Sequence, residues 1–128
     1  MSKSVLDASA MLALLYNEPG SATVAAALAA GAVISAVNLS EVVAKLRERG
    51  IPETAARTTT LALGITVVDF DSALAFAAGF LRPLTRAAGL SFGDRACLAL
   101  AQQLGLAALT TDRSWNALVP GITVTVIR

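Results

Sequence analysis

Short apolar runs alternate along the chain with longer stretches whose apolar residues recur at helical spacing. The runs cover residues 3–6, 32–36, 65–69, 106–109 and 122–127, and their length and content are typical of strands. Strands that alternate with helices form a parallel sheet with helices on both faces, so the pattern predicts a three-layer α/β/α fold. We expect a single domain over residues 1–128, with a parallel five-stranded sheet in the order 3-2-1-4-5.

Glycine and proline set most of the predicted helix boundaries. Gly31, Gly50, Gly64 and Gly105 end helical stretches, and Pro83 interrupts another because it has no amide hydrogen to donate. The predicted helices cover residues 10–16, 22–30, 38–49, 51–63, 72–88 and 95–104, and a helical turn covers residues 114–118.

Four acidic residues lie at predicted junctions into helices. Asp7 lies where the first strand passes into a helix, and Glu41, Asp94 and Asp112 occupy the same kind of junction. Crossover chirality places these junctions on one edge of a parallel sheet, which is where α/β proteins bind ligands. In the expected order, strands one and four are neighbours at this edge, so we expect the four carboxylates to converge there.

Each of these acids also has a purely structural explanation. Asp7 and Asp112 can cap the helices that follow them. The sequences Asn38-x-x-Glu41 and Ser91-x-x-Asp94 both match a capping box. Glu41 can also pair with Lys45 one turn later. Taken singly, each structural role explains its residue as well as a functional role does.

Taken together, four converging carboxylates would repel one another unless a cation lay between them. The chain has no histidine and one cysteine, so such a site would offer oxygen ligands and would favour Mg²⁺ or Mn²⁺ over zinc. Asp69 and Asp71 also lie near this edge, but the expected order puts the third strand at the rim. We therefore leave these two out of the candidate site.

Several other chemistries lack their residues. The chain has no phosphate-binding or dinucleotide-binding glycine motif, and without histidine a Ser-His-Asp triad is impossible. Cys97 lies between alanine and leucine, so we expect a buried structural thiol there rather than a nucleophile.

Composition points to a folded protein with an apolar surface to cover. The chain is 55% apolar and 15% charged, with a mean hydropathy of +0.68, so we expect a homodimer or a bound partner. Residues 19–40 carry no charge and are long enough to span a bilayer, but Pro19, Gly20 and Gly31 interrupt them. Charged residues also interrupt the first apolar stretch, which argues against a signal peptide. We expect a cytoplasmic protein.

Five sequence motifs, in order, resemble those of PIN-domain nucleases, specifically the VapC-type toxins of bacterial and archaeal toxin–antitoxin pairs. The resemblance covers essentially the whole chain. The motifs lie at residues 5–10, 17–20, 38–42, 90–95 and 109–112. One departure is Ala8, where the family often has a hydroxyl residue.

The resemblance implies a PIN-like fold and metal-assisted hydrolysis of RNA phosphodiester bonds. It implies that one or two Mg²⁺ or Mn²⁺ ions are bound by an acidic quartet, with two polar residues close to it. The quartet would be Asp7, Glu41, Asp94 and Asp112, and the polar residues Ser9 and Thr110. It also implies a homodimer and a cognate VapB-type antitoxin whose C-terminal segment masks the active site.

The charge balance is compatible with an RNA substrate. The net charge is only +1, but without the quartet ten basic residues remain against five acidic ones. Arg95 and Arg113 each follow a quartet acid directly, and Lys45 lies in a basic cluster over residues 45–49, so these three are candidates for phosphate contacts. An ordinary solvated helix face explains the basic cluster equally well. Trp115 is a candidate for base stacking or, alternatively, a lid over the core.

Two other functions fit the same sequence. One is a catalytically inactive PIN-fold interaction module, which a missing quartet acid would favour; all four acids are present here. The other is a related metal-dependent DNA nuclease, although the short chain lacks extra helical elements for threading a DNA strand. The sequence favours a ribonuclease toxin over both.

Overall fold

The computed structural model describes residues 3–128 and contains a five-stranded, all-parallel sheet. The strands are β1 (Ser4–Leu6), β2 (Val33–Ser35), β3 (Thr66–Val68), β4 (Ala107–Thr110) and β5 (Val124–Val126). They pair in the order β3-β2-β1-β4-β5, which confirms the predicted order and makes β1 and β4 neighbours at the centre.

Helices cover both faces of this sheet. They are α1 (Ala8–Leu15), α2 (Ser21–Ala29), α3 (Ala36–Glu48), α4 (Glu53–Ala62), α5 (Ser72–Phe80), α6 (Arg82–Thr85) and α7 (Phe92–Leu104), followed by a 3₁₀ turn over Arg113–Trp115. The three-layer α/β/α arrangement predicted from the sequence is confirmed.

The central strand β1 is buried on both of its faces. Val5 and Leu6 are both 0% exposed and point to opposite sides, as successive strand residues do. Val5 packs in a cluster with residues of α5 and α7, whereas Leu6 packs with residues of α1 and α2. This burial holds the carboxyl end of β1 in place, and the residue that follows is Asp7.

Several predicted helix boundaries were wrong. Helix α1 begins at Ala8 rather than Ala10, and α4 begins at Glu53 rather than Ile51. Helix α3 begins at Ala36 rather than Asn38, because the Ser35 hydroxyl accepts from the amide of Val37 at 3.2 Å and caps the helix. The predicted helix over residues 72–88 is two helices, and Pro83 lies in the first turn of α6, where its missing donor costs nothing. Helix α7 begins at Phe92, three residues before the predicted start at Arg95.

The edge strand β3 lies two strands away from β1. Asp71, which follows it, caps α5 by accepting from the amide of Leu74 at 3.0 Å. This placement agrees with leaving Asp69 and Asp71 out of the candidate site.

The uncharged stretch over residues 19–40 folds as α2, β2 and the start of α3. Within residues 3–128, each helix is too short or too polar to cross a membrane.

Candidate active site

Asp7 is a buried carboxylate at the carboxyl end of β1. It is 4% exposed and caps α1, as predicted: Oδ1 accepts from the amide of Ala10 at 2.8 Å and from the hydroxyl of Ser9 at 2.7 Å. Its second oxygen, Oδ2, accepts from the hydroxyl of Thr110 at 2.6 Å. The capping role uses mainly one oxygen, and the other faces the neighbouring strand.

Burial raises the pKa of Asp7 from 3.8 to about 6. The hydrogen bonds from Thr110, Ala10 and Ser9 favour the ionised form and lower the pKa, whereas the negative charge of Asp94 raises it further. Asp7 therefore lies in a place where a negative charge is costly unless a cation compensates it.

Ser9 and Thr110 join the ends of β1 and β4. Besides donating to Asp7, the Ser9 hydroxyl accepts from the amide of Thr111 at 3.0 Å, and the Thr110 hydroxyl accepts from the amide of Asp112 at 3.0 Å. Asp7 and the backbone of Asp112 are thus connected through one buried threonine.

Asp112 is exposed and caps the 3₁₀ turn, as its structural explanation predicted. Its Oδ1 accepts from the amide of Ser114 at 2.9 Å and from the Ser114 hydroxyl at 2.7 Å. The cap orients the carboxylate just after β4, which is the neighbour of β1 in the sheet.

Glu41 lies inside α3 and not at its start, so the predicted junction there was wrong. The predicted capping box with Asn38 was wrong too, because the cap is Ser35. Instead, the side-chain amide of Asn38 donates to Oε1 of Glu41 at 2.8 Å and to the carbonyl of Gly93 at 2.9 Å. The alternative pairing of Glu41 with Lys45 does not form, since Lys45 pairs with Glu48 at 3.5 Å.

Asp94 lies in the first turn of α7 and forms the predicted capping box with Ser91. Its Oδ2 accepts from the amide of Ser91 at 2.8 Å, and the Ser91 hydroxyl accepts from the amide of Asp94 at 3.2 Å. The predicted strand-to-helix junction was wrong here, because turns and not a strand precede α7. Helix α7 leads into β4 and runs antiparallel to it. The first turn of α7 therefore lies at the carboxyl edge of the sheet.

Cys97, one turn further along α7, is buried as predicted. Burial raises the pKa of its thiol well above 9.0, and the charges of Asp7, Asp94 and Glu41 raise it further, in that order. The geometry places two of these acids at the first turn of α7, because Glu41 lies against Gly93 and Asp94 is the next residue.

The chemistry of this region fits a hard divalent cation. None of the four acids forms an ion pair within residues 3–128, and the donors they offer are all oxygen atoms. The same part of the chain holds no group of three acidic, histidine or cysteine side chains arranged closely enough to share an ion. The charges of the four acids are therefore not compensated by ion pairs within the described residues.

The three basic candidates for phosphate contacts differ in their exposure and in their hydrogen bonds. Arg95 is half-buried and donates to the carbonyl of Ala78 at 3.0 Å, with its guanidinium 5.8 Å from the ring centre of Phe92. Arg113 is exposed and donates to the carbonyl of Arg128 at 3.3 Å. Lys45 is exposed beside Glu48.

Trp115 is 1% exposed within the core cluster that also contains Leu90 and Leu100, so its ring is not available for base stacking. The exposed aromatic residue near the acids is Phe92, which is 50% exposed and whose ring meets the edge of Phe70. Sequence reasoning did not select Phe92. It paired Asn38 with Glu41 as a capping box but missed the buried side-chain contact of Asn38 with Glu41 and Gly93. A signal existed, because Asn38 shares the buried face of α3 with Val42 and Leu46.

The chain belongs to the PIN domain family, whose family model matches residues 4–119. Among curated proteins, no sequence matches the chain. PIN domains are nucleases that generally use divalent metal ions, so membership supports a hydrolytic activity on nucleic acid. The resemblance to this family stated from the sequence is confirmed.

Solved structures of toxin–antitoxin proteins share the fold. A chain of a toxin–antitoxin complex from Klebsiella pneumoniae is 20% identical, with a TM-score of 0.76 over 98% of each chain. A chain of DNA-bound VapBC from Salmonella typhimurium is also 20% identical, with a TM-score of 0.75 over 98% of each chain. VapBC-5 from Mycobacterium tuberculosis is 21% identical, with a TM-score of 0.56 over 100% of this chain and 99% of its own.

Proposed function

We propose that this protein is a divalent-metal-dependent endoribonuclease that acts as the toxin of a type II toxin–antitoxin pair in the cytoplasm. The observation that carries the proposal is that Glu41 lies against Gly93, beside Asp94 in the first turn of α7, and that none of the candidate acids has a cationic partner in the described chain. The negative charge of Asp94 also raises the pKa of the buried Asp7. Asp112, at the end of the neighbouring strand, completes the set.

These four carboxylates would hold Mg²⁺ or Mn²⁺. When bound, such an ion supplies the Lewis acidity that hydrolysis of a phosphodiester needs, and it compensates charges that would otherwise repel a polyanion. Thr110 and Ser9 keep Asp7 oriented by donating to its two oxygens. Their hydrogen bonds favour the ionised carboxylate, which is the form that binds a cation.

Phosphate contacts in this proposal come from basic residues near the acids. Arg113 and Lys45 are exposed and able to reach a backbone phosphate. Arg95 is the third candidate; the guanidinium nitrogen that donates to Ala78 is engaged, so we expect its main effect to be on the packing of α7 against α5.

The antitoxin and the homodimer belong to the same proposal. The structural relatives come from toxin–antitoxin and VapBC complexes, which supports a VapB-type antitoxin as the partner. Three large apolar side chains of α4 and α5 are exposed: Leu61 to 70%, Phe76 to 66% and Phe80 to 74%. Exposed apolar side chains of this size favour a surface that a partner or a second copy of the chain covers.

The proposal is tested by incubating the purified protein with labelled tRNA, ribosomal RNA fragments and single-stranded DNA, with Mn²⁺ or with EDTA. We expect cleavage of an RNA that EDTA abolishes. Asp7→Asn and Asp94→Asn should each abolish cleavage in a folded protein, whereas Asp69→Asn, the same change at the exposed rim, should leave it intact. Cleavage that survives Asp7→Asn and Asp94→Asn would rule out this site.

The same assay separates the two alternatives. Cleavage of the DNA alone would identify a DNA nuclease. A folded protein that cleaves none of the substrates with Mn²⁺ would favour the inactive interaction module.

A further inference from the structure

We propose that Asn38 is the positioning residue of the acidic site, holding the carboxylate of Glu41 against α7 and thereby setting the affinity for the metal ion. The inference rests on the proposed function. It starts from one side chain that is 1% exposed and that reaches two different elements.

The orientation of the Asn38 amide follows from its partners. Its nitrogen lies 2.8 Å from Oε1 of Glu41 and 2.9 Å from the carbonyl oxygen of Gly93, and both of these atoms can only accept. An amide nitrogen has two hydrogens, so both are used. The amide oxygen is buried and has no hydrogen-bond partner among the residues described. An unpaired buried acceptor is costly, which indicates that the two donated bonds select this orientation.

Gly93 lies on the other side of the Glu41 carboxylate. We call the contacts of Glu41 with Asn38 and Gly93 the clamp. A β-carbon at Gly93 would overlap Oε2 of Glu41 and would lie 2.5 Å from its Cδ. One oxygen of the Glu41 carboxylate therefore accepts from the Asn38 amide, and the other packs against the backbone of Gly93, which has no side chain. The clamp also joins α3 to α7, since Asn38 and Glu41 lie on α3 and Gly93 on α7.

This clamp determines where the negative charge of Glu41 stands relative to Asp94, the next residue after Gly93 along α7. Without the amide, the Glu41 side chain loses its only described hydrogen-bond donor and gains freedom to swing towards solvent. Side chains that orient metal ligands from behind typically change metal affinity by about 10–100-fold when they are removed. We expect a change of that size for Asn38.

The test compares Mn²⁺ affinity, measured by calorimetry, in the wild type and in Asn38→Leu, which keeps a similar branched shape without the donors. The matched control is Thr60→Val, which removes another buried donor, from α4, away from the acids. We expect Asn38→Leu to bind Mn²⁺ about 10–100-fold more weakly. Thr60→Val should bind Mn²⁺ with the affinity of the wild type, even if its melting temperature falls as much as that of Asn38→Leu.

Two results would overturn the inference: wild-type affinity in Asn38→Leu, or an equal loss in Thr60→Val, which would show a general effect of destabilisation. If Asn38→Leu does not fold, Asn38→Ala, which has no hydrogen-bond donor in its side chain, is measured in the same way.

A metal-free crystal structure of the variant separates this inference from the proposed function. If the wild type binds no Mn²⁺, the proposed function fails, but the clamp is still tested by the position of Glu41. The inference predicts a Glu41 carboxylate turned away from Gly93 in the variant. An unmoved carboxylate would contradict it.

Discussion

Thr110 donates its hydroxyl hydrogen to Oδ2 of Asp7 at 2.6 Å, across 103 positions of sequence. The bond forms because β1 and β4 are neighbours in the sheet and Leu6 is paired with Leu109. The residues that follow these two, Asp7 and Thr110, therefore lie side by side at the same edge of the sheet. Thr110 is 0% exposed, so it is a structural support of the acidic site rather than a surface that meets substrate.

Thr110→Val keeps the shape of the side chain and removes its hydrogen bonds to Asp7, to the amide of Asp112 and to the hydroxyl of Ser9. The buried carboxylate of Asp7 and the amide of Asp112 then each lose a hydrogen-bond partner, so the free energy of unfolding should fall by about 1–3 kcal/mol. The pKa of Asp7 should rise above about 6, because the lost bond favoured the ionised form. Urea denaturation and carboxyl NMR titration measure the two effects. Thr125→Val, at an exposed strand position, is the control and should change neither.

The raised pKa of Asp7 makes a prediction about stability against pH in EDTA. The Asp7 carboxyl binds its proton more tightly in the folded protein than in the unfolded chain, where its pKa is near 3.8. The stabilisation that protonated Asp7 gives the fold is therefore fully present below pH 3.8 and is lost as the pH rises to about 6. Asp7→Asn removes the ionisation. The variant should therefore gain stability relative to the wild type across that window, by up to about 3 kcal/mol.

Urea denaturation of both proteins from about pH 4 to about pH 8 checks this difference. It should grow up to about pH 6 and then stay constant. A difference that is flat across the window, or that shrinks with rising pH, would show that burial does not oppose the charge of Asp7.

Gly93→Ala should separate stability from metal binding. Alanine is a better helix former than glycine by about 1 kcal/mol, but the new methyl group overlaps the carboxylate of Glu41. The end of a glutamate side chain can move away, so the fold should survive while Mn²⁺ affinity falls. Gly79→Ala is the control, since its β-carbon would meet nothing within 4 Å in α5. Equal Mn²⁺ affinity in the two alanine variants would contradict the close packing of Glu41.

Arg113→Ala and Arg95→Ala should have different effects. The exposed Arg113 is proposed to contact phosphate, so its loss should raise KM and lower the salt dependence of binding by about 0.7 per contact with single-stranded substrate. Arg95 donates to Ala78 on α5, so its loss should lower the melting temperature more than Arg113→Ala does. Binding measured over a series of salt concentrations, together with thermal denaturation, distinguishes the two. The same KM and salt slope in Arg113→Ala as in the wild type would remove Arg113 from the substrate surface.

The place of Asp7 could be predicted because it depends on a local pattern, and the strand order because doubly wound parallel sheets commonly share it. Val5 and Leu6 are both apolar, as a strand covered on both faces requires, and an acid follows them. The capping box of Ser91 and Asp94 was also recognisable, since it uses two residues three positions apart.

The surroundings of Glu41 could not be predicted in the same way. Ser35 ends an apolar strand and also caps the next helix, so the sequence pattern placed the helix start too late. The contact between Asn38 and Gly93 joins residues 55 positions apart and depends on how α3 packs on α7. Periodicity marks Asn38 as facing inward but does not show what it meets there.

The measurement that tests the central claim most directly is a crystal structure of the wild type soaked in Mn²⁺, with the ion located by its anomalous scattering. The account predicts an anomalous peak coordinated by Asp7, Asp94 and Glu41, with Glu41 still held by Asn38 and with Asp112 turned towards the ion, and no such peak in Asp94→Asn. A wild-type protein that cleaves RNA in Mn²⁺ but shows no ion at these carboxylates, or binds it elsewhere, would contradict the account.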